Sequence, residues 1–171
     1  VILRPPQPQD IETRLSLPPS PSIYRMYGGD SDAFVPLTRA EAEEWMENLL
    51  RHPCAWIIAA EDVAAGEIRL DNIHPQDRRA RMALGLFDEK NLGRGIGRAA
   101  IRLALKHAFE TLALHRIDLR VLAFNHRAIR CYTACGFTHE GTERQSAFID
   151  GVWHDDHIMG ILTHEYDEKY K

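Results

Sequence analysis

The sequence predicts a mixed α+β fold, in which a mostly antiparallel sheet carries one parallel strand pair and about four helices. Three observations support this prediction. Strand-like segments come first as an antiparallel meander, and a single strand–loop–helix–strand crossover follows at mid-chain, which implies a parallel pair. Asp150-Gly151 then joins two final strand-like segments, as in a hairpin. One crossover is too few for a doubly wound sheet. The 171 residues suit a single domain over 1–171.

The first half of the chain supplies a short strand, one clear helix and the meander. Ile2–Arg4 is typical of a short strand that prolines end. Thr38 and Glu41 form a capping-box pattern, and the helix behind them ends before Pro53. Strands are predicted over 55–60, 66–70 and 81–87, the last two joined by a polar loop over 72–79.

The second half begins with a glycine-rich turn over 91–97, which leads into an apolar-periodic helix that ends near Leu112. A strand over 117–123 follows, and then a short helix over 126–135 with Gly136 just past its end. The closing strands are predicted over 137–148 and 152–162.

Composition excludes several classes of protein. The formal charge of −4 and the pI of about 6.1 give no basic footprint for nucleic acid. No apolar run of about 18 residues predicts a membrane span, and the opening is too short and proline-rich for a signal peptide. A soluble cytoplasmic protein is therefore expected. Cys54, Cys131 and Cys135 are interpreted as small apolar residues of a reducing compartment.

The glycine-rich turn predicts a phosphate site. Gly93, Gly95 and Gly97 stand at alternate positions between a strand and a helix, so backbone N–H groups and the positive end of the helix can point at one anion. Arg94 and Arg98 can add charge. The structural alternative is a tight turn without a ligand.

Two nucleotide motifs are alternatives for the same turn. A P-loop needs Gly-Lys-Ser/Thr, and Gly97 is followed by Arg98-Ala99 instead. The dinucleotide fingerprint fits Gly95-x-Gly97-x-x-Ala100, with Asp118 at a suitable distance. That motif usually opens a sheet of several parallel units, and here it stands alone at mid-length, so it is disfavoured.

Several motifs in a fixed order resemble the GCN5-related N-acetyltransferase (GNAT) superfamily, closest to its ribosomal-protein N-terminal and spermidine acetyltransferase branch. The resemblance covers nearly the whole chain and lies in Leu3-Arg4-Pro5 with Asp10, 84–100, 115–125, Ala128-Ile129-Arg130-x-Tyr132-x-x-x-Gly136-Phe137, Glu140-Gly141-x-x-Arg144 and Asp150-Gly151-x-Trp153-x-Asp155. It implies the GNAT fold, whose parallel strand pair is splayed, and acetyl-CoA as the acyl donor.

By resemblance, one set of residues is expected to bind the cofactor. The turn amides would hold the pyrophosphate, backbone groups around Phe87 would pair with the pantetheine, and Asn125 would bond the CoA arm. Tyr132 matches the tyrosine beside the thioester sulfur. The full expected set is Phe87, Leu92, Gly93, Arg94, Gly95, Ile96, Gly97, Arg98, Asn125, Arg130 and Tyr132. Leu92 departs from the family pattern, which has Gln or Arg there.

Structural alternatives accompany two of these residues. Asn125 can cap the short helix behind it, with or without a role toward CoA. Tyr132 can be a packed aromatic residue, or it can be the acid that protonates the departing thiolate.

The general base is the least defined part of the expected site. Many relatives carry Glu on the strand before the turn, where this chain has Ala83. The remaining candidates are Glu67, Asp71, His74 and His126, of which Glu67 is preferred, and a chain of water molecules is an alternative. His154-x-x-His157 suggests a metal, but residues three apart on a strand face opposite sides, so no metal site is predicted.

The predicted function is acetyl-CoA-dependent transfer of an acetyl group to a primary amine, by direct attack of the amine on the thioester. Catalysis is assigned to Tyr132 and Glu67. The main alternative is a non-catalytic CoA-binding sensor, and another is a different acceptor or a longer acyl donor. The acceptor is expected over 11–52 and can be a protein N-terminus, a polyamine, an aminoglycoside or a small amine. A homodimer is possible, and neither nucleic acid nor a membrane is an expected partner.

Overall fold

A seven-stranded sheet in the order β1-β2-β3-β4-β5-β7-β6 forms the frame of the molecule. The computed structural model describes all residues from 1 to 171. The strands are β1 (Ile2–Arg4), β2 (Ala55–Ala60), β3 (Val63–His74), β4 (Arg79–Leu86), β5 (Arg116–Leu122), β6 (Thr138–Ile149) and β7 (Val152–Leu162). The helices are α1 (Gln9–Leu15), α2 (Pro21–Met26), α3 (Arg39–Arg51), α4 (Ile96–Lys106), α5 (His126–Ala134) and α6 (Thr163–Tyr170).

The sheet confirms the predicted class, because every pair is antiparallel except β4 with β5. The chain has six α-helices instead of about four. The additional ones, which include α1 and α2 in the first 26 residues, have only six to eight residues each. Segments this short do not develop a helical period that sequence inspection can detect.

The hairpin of β3 and β4 is longer than predicted. The ladder passes Asp71 and resumes at the pair His74–Arg79, with an irregularity between them. Asn72 takes a positive φ of 52° there, which asparagine tolerates better than most residues. The predicted loop over 72–79 therefore shrinks to a short turn.

Two apolar cores lie on opposite faces of the sheet. Helix α4 buries Ile101 and Leu105 against Ile68 and Leu119 in the larger core. Each such side chain contributes about 1.5–3 kcal/mol by leaving water. The smaller core joins α3 to the sheet through Leu49, Ala55, Ile57, Ala64 and Phe87. None of the helices is long and apolar enough to cross a membrane.

The parallel pair of β4 and β5 separates soon after it forms. Only three pairs join these strands, Arg79–Arg116, Ala80–Ile117 and Arg81–Asp118. Both strands continue for several residues, to Leu86 and Leu122, without pairing to each other. The sheet is therefore split at its centre, as the splayed pair of the predicted fold requires.

Candidate active site

The split in the sheet opens into a cavity of about 1120 Å³. Its walls come from six parts of the chain: α2, Asp71 of β3, β4, the glycine-rich turn with the start of α4, the β5–α5 junction, and the β6–β7 hairpin. Pockets of this size hold a drug-sized or cofactor-sized ligand.

Strand β4 turns unpaired backbone groups toward this cavity. The Phe87 N–H donates to the Ala65 carbonyl at 2.9 Å, which places it on the β3 side. Backbone groups alternate sides along a strand, so the amides of Leu84 and Leu86 face the gap that β5 leaves. Leu84 and Leu86 line the cavity, whereas Phe87 is buried in the smaller core. The free N–H groups that were expected around Phe87 are therefore those of Leu84 and Leu86, and not that of Phe87 itself.

The glycine-rich turn leaves a run of amides without partners. The Leu92 N–H donates to Glu89 O at 2.9 Å, and the next backbone donor in the turn is Ala99, which bonds Gly95 O at 3.0 Å. Between them, the amides of residues 93–98 make no hydrogen bond within the protein. Gly93 and Gly95 have positive φ values of 75° and 78°, which glycine adopts without strain.

This turn fits a phosphate group for two reasons. A Cβ at Gly93 or Gly95 would meet nothing within 4 Å, so their backbone is open to an approaching ligand. The unpartnered amides also precede an eleven-residue helix, α4, whose amino terminus attracts anions. Leu92 lines the cavity beside these glycines, although its own amide is already bonded within the turn.

Arginine side chains dominate the charge of the cavity. Five arginines and two aspartates line it: Arg81, Arg98, Arg120, Arg127, Arg130, Asp71 and Asp156. Arg98 and Arg130, both in the expected cofactor set, make no ion pair within the protein and remain free for phosphates. Arg94 does not line the cavity, and its guanidinium bonds Glu61 at 2.9 Å.

Helix α5 presents Asn125 and Tyr132 to the cavity. Asn125 caps the helix, since its Oδ1 accepts a hydrogen bond from the Ala128 N–H at 3.2 Å. The side-chain nitrogen of Asn125, Nδ2, makes no hydrogen bond within the protein. Tyr132 is 8% exposed and packs edge-on against Phe137. Its hydroxyl has no hydrogen-bond partner in the protein, although it is not sealed from the cavity. Burial raises the pKa of Tyr132, which keeps the phenol protonated.

Glu67 lies behind the cavity wall. Its Oε2 accepts a hydrogen bond from the Trp45 indole, and its Oε1 accepts one from Arg69 at 3.0 Å. Both oxygens are therefore occupied, and Glu67 does not line the cavity. Among the other base candidates, Asp71 lines the cavity but binds Arg69 and His52 at 3.0 Å. His74 lies in the β3–β4 turn beside Asp77, and His126 is exposed at the start of α5.

Tyr27 is a site residue that the sequence did not indicate. It follows α2, lines the cavity, and donates its hydroxyl to the Leu86 carbonyl at 2.9 Å. A Cβ at position 85 would lie 2.4 Å from that hydroxyl, so only glycine fits beneath it. The only available signal was Gly85 within a strand, which can mark the close approach of another group.

The segment that carries Tyr27 is tied to the distant β6–β7 hairpin. The Asp150 carboxylate accepts hydrogen bonds from Arg25 Nε at 2.7 Å and from the Ser31 N–H at 2.6 Å. In return, the Asp150 N–H donates to Asp30 at 2.6 Å. The Arg25 guanidinium also lies 4.2 Å from the centre of the Phe124 ring. These contacts hold residues 25–31 across one mouth of the cavity.

The remaining residues of interest lie apart from the reacting centre or at its edge. Cys54 and Cys135 are buried, and Cys131 is partly exposed and lines the cavity. All three are free thiols. His154 packs on Phe124 at 4.7 Å, whereas His157 bonds Thr142 at 3.1 Å.

Comparison with known proteins agrees with this geometry. The model of the acetyltransferase (GNAT) domain family matches residues 1–138. The chain is 27% identical over 172 aligned residues to the spermidine N(1)-acetyltransferase of Escherichia coli K12, which covers 100% of this chain and 90% of that enzyme. The corresponding enzyme of Vibrio cholerae is 35% identical over 101 residues, 59% of this chain.

A solved structure adds a ligand to the comparison. The spermidine N-acetyltransferase of Vibrio cholerae in complex with CoA and spermine superposes with a TM-score of 0.79 and 26% identity, and the match covers 96% of both chains. The sequence alignments with two relatives cover only part of those proteins. The alignment with the Vibrio cholerae enzyme spans 58% of its length. A probable N-acetyltransferase of Bacillus subtilis is 38% identical over 81 residues, which span 45% of its length.

The chain belongs to the GNAT acetyltransferase family. This membership confirms the family resemblance, the α+β fold with its splayed parallel pair, and the prediction of an acetyltransferase class that draws on acetyl-CoA.

Proposed function

We propose that this protein transfers the acetyl group of acetyl-CoA directly to a primary amine that enters from the side of α2 and the β6–β7 hairpin. The single observation that carries the proposal is the split between β4 and β5, which leaves the N–H groups of Leu84 and Leu86 without a partner beside the free amides of residues 93–98. An extended chain that ends in phosphates satisfies both sets of donors at once.

The residues of the split supply binding and electrostatic stabilisation. Arg98, Arg130 and the turn amides hold the phosphates, and Asn125 offers its free amide nitrogen to the pantetheine arm. The Leu86 N–H is the candidate donor to the oxygen that gains charge as the amine adds to the acetyl carbonyl. Leu86 is adjacent to Phe87, around which free backbone groups were expected, and the N–H of Phe87 itself donates to Ala65.

Tyr132 is the proposed general acid. Its hydroxyl is protonated, because burial raises its pKa, and it has no partner in the protein that would compete for its proton. A hydroxyl of this kind can protonate the departing thiolate. Acetyl-CoA supplies the activated acyl group, so no acyl-enzyme needs to form and Cys131 need not act as a nucleophile.

The amine must lose a proton before it attacks, because a free alkylamine has a pKa of about 10.4. Glu67 stays the preferred base in this proposal, and it would act through water, since its oxygens already accept from Trp45 and Arg69. Asp71 is the second candidate, because it lines the cavity directly. The comparison of Glu67→Gln with Asp71→Asn in a pH profile of kcat/KM separates them.

The acceptor class is open to a small amine or a peptide amine. Relatives named spermidine N(1)-acetyltransferase support a small amine. We also propose a cytoplasmic homodimer. The three free cysteines suit a reducing compartment, and light scattering of the purified protein tests the dimer.

The test of the proposed function is the release of CoA from acetyl-CoA, followed with a thiol-reactive dye and a panel of amines. Turnover that falls in Tyr132→Phe and in Gly95→Trp is expected. Tight CoA binding without turnover on any amine would favour the sensor alternative, which the comparisons do not support. Failure to bind CoA would contradict the proposal entirely.

A further inference from the structure

Tyr27 occupies a backbone carbonyl of β4 inside the split of the sheet. Its hydroxyl donates a hydrogen bond to the Leu86 carbonyl at 2.9 Å. The N–H of the next residue, Phe87, points the other way and donates to Ala65 on β3. Both backbone groups of an extended residue face the same side, so the N–H and the carbonyl of Leu86 both face the gap. The Tyr27 hydroxyl therefore lies on the same side of β4 as the Leu86 N–H, the candidate donor to the oxyanion.

The ring of Tyr27 covers β4 at this point and forms part of the cavity surface. Tyr27 is 54% exposed and lines the cavity, whereas Gly85 lies beneath it and does not. A Cβ on Gly85 would lie 2.4 Å from the Tyr27 hydroxyl oxygen and 2.9 Å from its Cζ. The hydrogen bond to Leu86 thus requires both a tyrosine after α2 and a glycine within β4.

Contacts at both ends of α2 hold Tyr27, which directly follows this helix, in place. At the start of α2, the Ser20 hydroxyl accepts from the Ile23 N–H and donates to Glu89 at 2.5 Å, shortly after β4. At its end, Arg25 Nε donates to Asp150 at 2.7 Å, between β6 and β7. The hydroxyl is therefore positioned by two distant parts of the chain.

An extended acyl donor that pairs with β4 takes the place that β5 leaves empty. Its amide groups would bond in turn to the N–H and carbonyl groups of Leu84 and Leu86, as those of a neighbouring strand do. Tyr27 removes the Leu86 carbonyl from this series and leaves the Leu86 N–H. The pairing then ends before Leu86, and its N–H is left for the thioester oxygen.

We propose that Tyr27 is a positioning residue, which blocks the Leu86 carbonyl and thereby sets where the acyl donor stops along β4. The inference rests on the proposed function, because it concerns the donor of the same reaction. Without the hydroxyl, the donor is free to pair one group further along β4 and carries the thioester past the Leu86 N–H. A displacement of about 1 Å can lower a rate by about 100-fold, so kcat is expected to change and the affinity for CoA is not.

Tyr27→Phe tests this role, because it keeps the ring and removes the hydroxyl. In the CoA-release assay with the fastest amine of the panel, kcat is expected to fall at least about tenfold. The dissociation constant of CoA, measured by calorimetric titration, is expected to stay within about twofold. Tyr24→Phe is the matched control and should leave both values unchanged, because Tyr24 lies one turn earlier on α2, packs on Phe34 and does not line the cavity.

Gly85→Ala disturbs the same contact from β4. Its methyl group takes the space of the Tyr27 hydroxyl, so kcat is expected to fall as in Tyr27→Phe, with the affinity for CoA unchanged. In a Tyr27→Ala background this space is open, and Gly85→Ala is expected to cause no further loss of kcat. Such non-additive effects would show that the two residues act through one contact. Thermal melting verifies that each variant is folded.

Three results would overturn the inference and leave the acetyltransferase intact. An unchanged kcat in Tyr27→Phe, with a lower melting temperature, would make the hydrogen bond a purely structural contact. A weaker affinity for CoA at constant kcat would make Tyr27 part of the cofactor-binding surface. An undiminished effect of Gly85→Ala in the Tyr27→Ala background would show that the two residues act independently. If the natural protein binds CoA and acetylates no amine, the proposed function is contradicted, and this inference with it, before any variant is made.

Discussion

Two substitutions at Gly97 test separately how this position affects the stability of the fold and the binding of the cofactor. Gly97 is the second residue of α4 and lines the cavity. A Cβ added there would lie 3.8 Å from Cys131 Sγ and 4.0 Å from Leu84 Cδ2, which is ordinary van der Waals contact. The backbone needs no positive φ at this position, so alanine fits without strain.

Gly97→Ala is therefore expected to stabilise the fold. Alanine exceeds glycine by about 1 kcal/mol in a helix interior, and the gain is smaller in the first turn. A domain of this size would melt about 2–4 °C higher at most. Gly97→Leu extends three more carbon atoms from the same Cβ toward the gap between β4 and α5. CoA affinity is expected to fall at least about tenfold, which corresponds to about 1.4 kcal/mol.

Calorimetric titration with CoA and thermal melting together measure both effects. Gly141→Leu is the matched control, because a Cβ at Gly141 meets nothing within 4 Å and Gly141 does not line the cavity. A folded Gly97→Leu variant that binds CoA as tightly as the natural protein would refute the assignment of this gap to the cofactor.

Three further predictions concern individual side chains. Tyr132→Phe is expected to lower kcat by about 100-fold with little change in either KM, because a general acid acts in the chemical step; equal kcat would leave Tyr132 as a packed aromatic residue. A hydrogen bond from Cys135 lowers the pKa of Cys131 to about 7, so iodoacetamide should alkylate Cys131 before the other cysteines, with a half-maximal rate near that pH. Bound CoA should protect Cys131 from alkylation. Mass spectrometry that found Cys54 modified first would contradict this prediction. Arg116 holds the pKa of Glu140 below its ordinary value, so the ionised pair stabilises the fold at neutral pH, and this contribution disappears as pH falls through the lowered pKa. The melting temperatures of the natural protein and Glu140→Gln should therefore differ at pH 7 and converge as the pH falls below that lowered pKa.

The elements that the sequence predicted well are long and periodic. Helices α3 and α4 and the hairpin at Asp150-Gly151 carry caps, repeats or turn residues that act over a few neighbouring positions. Helices α1 and α2 are too short for such signals. The capping of α2 by Ser20 before Pro21 could still have been noticed, since this pairing is common at helix starts.

The parts of the site that a few consecutive residues determine could be predicted from the sequence. The parts that depend on how β4 pairs with β3 could not. The glycine-rich turn and the cap at Asn125 follow from a few consecutive residues. Which of Leu86 and Phe87 faces the cavity depends on the pairing of β4 with β3, and a shift of one residue reverses it. The role of Tyr27 depends on Gly85, 58 positions away in the chain, so only the folded structure brings it to the site.

Amide hydrogen exchange, followed by NMR with and without CoA, tests most directly the claim that the split in the sheet is the cofactor site. The amides of Leu84, Leu86 and residues 93–98 have no partner in the free protein, and bound CoA should slow their exchange, whereas Phe87, already bonded to Ala65, should change little. If CoA binds and Leu84, Leu86 and the turn amides exchange as fast as before, the cofactor lies elsewhere and the proposed active site is wrong.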